Sequence, residues 1–195
     1  MGSKPEEQTP VVVAPPVNPM PPAPPSPPPP PPKPKAEEVI AKFLALRPQD
    51  VDNGHLQELL SLDEGLEAIT ELQLINGGIN SAGIRNLDRL THLARLDIRS
   101  SPLDQTAFAH IGKVTSLEEL QLDGGRLTPE TSRDLAGLSN LKVFVAEGMQ
   151  LTPFAWEEFF AAHPNLEDLD ISRSNLTDLA TVSLGKLANL KRLQL

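Results

Sequence analysis

Four histidines (His55, His92, His110 and His163), 26 acidic residues and no cysteine are the groups in this 195-residue chain that could move protons or bind metal. Metal-assisted hydrolysis would call for a His-Glu-x-x-His helix or a tight His/Asp/Glu set, and neither spacing occurs. The absence of Cys removes thiol nucleophiles, Cys-ligated zinc and disulfides together. Asn76-Gly77-Gly78 and Asp123-Gly124-Gly125 look like phosphate loops but lack the Gly-Lys-Ser/Thr ending that reaches the phosphates. The expectation is a chain that is not an enzyme, with no catalytic residue, no cofactor and no metal. Binding is then the chemistry left to find, and it depends on which elements present which side chains.

Composition divides the chain. Sixteen of its 21 prolines lie in residues 1–35, including the unbroken run Pro27 to Pro32. Such a segment cannot donate backbone hydrogen bonds or build a core, so residues 1–35 are expected to be a disordered, proline-rich tail acting as a stiff spacer. The register Pro28-x-x-Pro31-x-Lys33 also fits a docking ligand for a polyproline-binding domain. The formal net charge is −9, with 14 basic and 24 acidic residues after Lys35. That balance repels phosphate and argues against nucleic acid as a partner. No apolar run approaches the roughly 20 residues of a membrane span.

From Ile69 the sequence repeats. The frame Leu-x-x-Leu-x-Leu returns as Ile69-Leu72-Leu74, Leu93-Leu96-Ile98, Leu117-Leu120-Leu122, Leu141-Phe144-Ala146, Leu166-Leu169-Ile171 and Leu190-Leu193-Leu195, every 24 or 25 residues. Its alternation predicts a short strand in each unit. A further apolar position (Ile79, Leu103, Leu127, Leu151, Leu176) is followed each time by a helix-capping residue: Asn80, Asp104, Thr128, Thr152 or Thr177. Pro129 and Pro153 follow two of these caps, where a missing amide hydrogen costs nothing, so a short helix is predicted at the same phase in every unit. Upstream, Ile40, Phe43 and Leu44, then Asp52 followed by Leu56, Leu59 and Leu62, predict a helical N-terminal cap over residues 36–66.

This pattern resembles the leucine-rich repeat family over about residues 67–195, with Leu117-Glu-Glu-Leu-Gln-Leu122 and Asn175-Leu-Thr-Asp178 the nearest matches, in a texture similar to bacterial members related to the ribonuclease-inhibitor class. The resemblance implies an α/β leucine-rich-repeat solenoid with parallel strands on a concave face and short helices on the convex one. The family's Asn position holds Gly77, Ser101, Gly125, Met149 and Ser174, so a ladder of Asn hydrogen bonds is not expected. Because the sequence stops on the third apolar position of a sixth strand, it reads as a fragment whose last repeat is cut short, monomeric unless edge strands pair.

The resemblance also implies a non-catalytic module that holds a protein partner on the concave face. The alternatives are the recognition or regulatory part of a larger enzyme whose catalytic domain lies beyond Leu195, and an adaptor working through its proline tail. Outward-facing positions along the strands carry mostly charge, but Val143 and Val145 place two apolar side chains together in the fourth unit. With Glu119, Lys142, Glu147 and Asp168 around them they form the expected protein-binding site, an apolar anchor ringed by charge. Trp156 falls on the buried helix phase between small Ser132 and Thr181 and is read as core. Phe154 and Phe160 fall outside the buried frame and make a second candidate patch.

Overall fold

In a computed structural model of the chain, residues 35–75 and 78–195 are described; the expectations for the tail and for Gly77 lie outside them. The architecture is α/β, with one six-stranded parallel sheet and, among the described residues, six α-helices. The order is α1 (Ala36–Leu44), α2 (Asn53–Leu60), β1 (Glu71–Gln73), β2 (Arg95–Asp97), α3 (Gln105–Ile111), β3 (Glu119–Leu122), α4 (Pro129–Asp134), β4 (Val143–Ala146), α5 (Pro153–Ala162), β5 (Asp168–Asp170), α6 (Asp178–Leu184) and β6 (Arg192–Gln194). Strands add side by side in chain order from β1 to β6, and the sheet stays open. This arrangement is compatible with a repeat solenoid.

Register follows the 24-residue frame. Leu72, Leu96, Leu120, Phe144, Leu169 and Leu193 stand side by side across the sheet. The residue before each strand takes hydrogen bonds from the next unit: Ala94 N donates to Thr70 O at 2.8 Å, Glu118 N to Ala94 O at 2.8 Å, Lys142 N to Glu118 O at 2.8 Å and Glu167 N to Lys142 O at 2.8 Å. A one-residue slip would turn the Leu row into water, so the apolar pattern and the ladder fix the same register.

The caps work as their residue types predict. Asp52 accepts from His55 N, Asp104 from Thr106 N, Thr152 from Ala155 N and Thr177 from Ala180 N, while Thr128 and Thr131 satisfy each other's amides at the start of α4. One unit departs from the expectation. Asn80 caps only a turn, accepting from Ala82 N, and the segment to Leu90 holds no α-helix, only a single 3-10 turn at Leu87–Arg89. The left-handed Asn86 (φ 67°) breaks the helical path. The Asn53 side chain of α2 takes the room beside Gly83, where a Cβ would meet its Oδ1 at 1.9 Å.

A single core runs from Val39 and Phe43 of α1 to Leu184 and Leu187. Its ring contacts gather on β4 and α5. Phe144 meets Phe159 with ring centroids 4.9 Å apart, Trp156 stacks on Phe160 at 5.4 Å, and Phe159 meets the His163 ring at 4.5 Å. Trp156 is core, as its phase suggests. Phe160 is a correction: it is 2% exposed, covered by the Trp156 ring, so only Phe154 (61% exposed) remains of the outer patch.

An unexpected set of cross-unit bonds also emerges. Asn140, Asn165 and Asn189, each just before a frame Leu, donate from Nδ2 to the carbonyls of Thr115, Ser139 and Pro164 in the preceding unit, at 2.9, 3.0 and 3.4 Å. At the position where no ladder was expected, Ser101 Oγ donates to Leu74 O at 2.8 Å and Ser174 Oγ accepts from Met149 N at 2.9 Å. Hydroxyls there replace the amide, and the Asn rungs sit at another phase.

Candidate functional site

Alternation along the strands puts one face of the sheet in the core and the other toward solvent. Leu72, Leu120 and Phe144 are fully buried, while their neighbours on both sides are exposed or half-buried. Across the outward face run two rows in register. The first is Glu71, Arg95, Glu119, Val143, Asp168 and Arg192; the second is Gln73, Asp97, Gln121, Val145, Asp170 and Gln194.

The six predicted contact residues fall on this face or at its margin. Val143 is flanked by Glu119 on β3 and Asp168 on β5; Val145 is flanked by Gln121 and Asp170. Both valines are half-buried, forming a shallow apolar floor between taller polar side chains. Lys142 and Glu147, at the two ends of β4, are exposed. The structure thus brings Val143, Val145, Glu119 and Asp168 into one patch, with Lys142 and Glu147 at opposite edges.

The cations of the face are already engaged. Lys142 Nζ lies 2.9 Å from Glu118, Arg192 2.6 Å from Asp168 and Arg173 3.4 Å from Glu147. Further out, Arg95 reaches Glu71 at 3.6 Å, and Arg99 binds Asp97 at 2.6 Å. Lys191, 2.7 Å from Glu167, holds that carboxyl below the usual carboxylate range through its hydrogen bond and charge. All of these pairs involve at least one exposed partner, and such pairs stabilise a fold by about 1 kcal/mol or less. Their effect is to neutralise the positive charges of the surface.

Cavities on this side are small. A polar hollow of about 140 Å³ lies over β1–β3 between Glu71, Arg95, Asp97, Glu119 and Gln121, so Glu119 stands between it and the valines. A larger groove of about 300 Å³ runs along the free edge of β1 beneath Phe43, Leu44, Leu46, Pro48 and Val51. No sequence signal pointed to that groove, because it is made by the path between α1 and α2 rather than by a motif.

The histidines do not converge. Among the described residues no three His, Asp or Glu side chains gather as a metal ion would require, and no described helix is long and apolar enough to cross a membrane. His163 is fully buried, with Nδ1 2.8 Å from Phe159 O and Nε2 3.0 Å from Leu135 O, so it ties α5 to the end of the previous unit's helix. A neutral ring donates to only one of these oxygens, yet burial outweighs both and depresses the pKa. Unfolded, the ring titrates near its ordinary value of about 6.5. As pH falls below that value the unfolded chain takes up the proton first, so the stability His163 contributes near neutral pH is lost with acidification. The stability gap between wild type and His163→Gln, measured by urea denaturation, should therefore shrink between about pH 7 and pH 5. A gap that stays constant would refute the assignment.

No family model and no curated protein matches the chain.

Proposed function

We propose that the chain is a leucine-rich-repeat solenoid capped by residues 36–66, and that it works as a non-catalytic protein-binding module with its partner on the open, concave face of the sheet around Val143 and Val145. The observation that carries this reading is the pair of valines two residues apart on β4, at the middle of an outward face that is otherwise polar or charged. Apolar side chains framed by a polar rim are where binding energy concentrates in protein interfaces. The neighbouring cations, already paired, would exclude water and set orientation more than they would add affinity.

The test is affinity capture with the wild-type chain beside the V143D/V145D and V143T/V145T variants. The Thr pair keeps the β-branched shape of the strand and separates binding from folding. A partner held by wild type should bind the Asp pair at least tenfold more weakly, a change of about 1.4 kcal/mol or more, with far-UV circular dichroism unchanged. Equal retention by all three chains would sink the site.

A further inference from the structure

Resting on that reading, we infer that the segment seated over Val143 and Val145 is a polypeptide stretch carrying an aliphatic side chain between two cations, Lys or Arg, one on each side. Two carboxylates next to the valines lack what every cation of the face already has, an ion-pair partner. Glu119, in register with Val143, accepts only Gln121 Nε2 at 2.7 Å, through Oε1. Asp170, in register with Val145, accepts only Ser172 N at 3.0 Å and Ser172 Oγ at 2.6 Å, both through Oδ1. The second oxygen of each is left without a partner among the described residues.

These two groups lie on opposite flanks of the valines, Glu119 on β3 and Asp170 on β5, and are offset by two residues along the strands. Strand spacing of about 4.8 Å and a rise of about 3.3 Å per residue place their Cα atoms roughly 12 Å apart on a diagonal that crosses the apolar floor. In an extended peptide, residues two before and two after a central one are about 13 Å apart. An aliphatic residue on the valines thus brings cations at those positions to the two carboxylates. A partner with a neutral surface would desolvate both carboxylates without compensation, which is strongly unfavourable, and an acidic one would add repulsion. The cations of the face are turned to other acids: Arg95, in register with Glu119, reaches Glu71 instead, and Arg192 reaches Asp168 rather than Asp170.

The experiment is selection from a displayed library of random linear peptides on the full chain, on V143D/V145D and on E119Q/D170N. Both amides keep the oxygens that Gln121 and Ser172 bind, so the second pair removes charge without removing those local contacts. Peptides selected by wild type should carry Lys or Arg on both sides of an aliphatic residue. Synthetic copies should bind E119Q/D170N at least tenfold more weakly, and wild type more weakly as salt rises from about 0.05 M to about 0.5 M. Peptides that need the valines but show no excess of cations, or bind E119Q/D170N unchanged, would overturn this inference and leave the binding surface standing. If no peptide prefers wild type over V143D/V145D, the binding surface itself falls, and the inference with it.

Discussion

Trp156→Ala should lower the unfolding free energy by about 3–5 kcal/mol, the range for emptying a buried aromatic site. The ring is 0% exposed and stacks on Phe160, with Phe159 edge-on at 6.5 Å. Collapse around the gap is resisted from both sides, since α5 is held by the Thr152 cap and by the His163 bond to Leu135 O. Trp156 Nε1 also lies 3.4 Å from Asn175 Oδ1, and Asn175 clamps Leu151 with Oδ1 to its N at 2.9 Å and Nδ2 to its O at 3.0 Å. Trp156→Phe should therefore lie between wild type and the Ala variant, keeping most of the packing but giving up the bond to Asn175. Urea denaturation followed by far-UV circular dichroism measures both, because the chain has only this one Trp and loses its fluorophore. A loss under about 1 kcal/mol for Trp156→Ala would show that the ring is not part of the core.

Periodicity made much of this fold legible before any coordinates. Leu at fixed spacing reports a buried row, and Thr or Asp just before a second apolar phase reports a helix start; both are local properties of a strand or a turn. What the spacing hid depends on contacts between units. Asn86 is an ordinary residue until its left-handed backbone ends the turn after Asn80. Phe160 reads as outward on a helical wheel, yet the Trp156 ring covers it. Asn140, Asn165 and Asn189 could have been found, since each stands immediately before a frame Leu, but the family's Asn position drew the reading to another phase. His163 carries no spacing signal for its role either, since one of its two carbonyl partners lies 28 residues upstream. At the candidate site, the valines and their charged neighbours were visible as residue types. That Glu119 and Asp170 lack cations while Glu118 and Asp168 have them depends on which side chains reach across a strand, and no spacing rule encodes it.

A pair of glycines isolates that contribution of neighbouring units. Gly112 and Gly185 end α3 and α6 with nearly the same backbone, φ −63° and ψ −13° against φ −62° and ψ −11°. Neither needs glycine for its conformation, and alanine at a right-handed helical position ordinarily stabilises by about 0.4–1 kcal/mol through the unfolded chain. At Gly185 a Cβ would meet nothing nearer than Thr181 O at 3.5 Å, so Gly185→Ala should be neutral or mildly stabilising. At Gly112 the same atom would lie 1.8 Å from Asp134 O, a backbone carbonyl at the end of α4, and a Cβ on Gly137 would in turn lie 2.6 Å from Gly112 O. The carbonyl cannot retreat cheaply, because the next residue, Leu135, is fully buried and its own oxygen faces His163. Gly112→Ala should thus cost about 3 kcal/mol, the upper part of the range for overpacking, and the gap between the two variants should be at least as large as that cost. Equal effects of the two substitutions in urea denaturation would mean that α3 and α4 do not approach through Gly112, and that the close packing of successive units is looser than their backbones require.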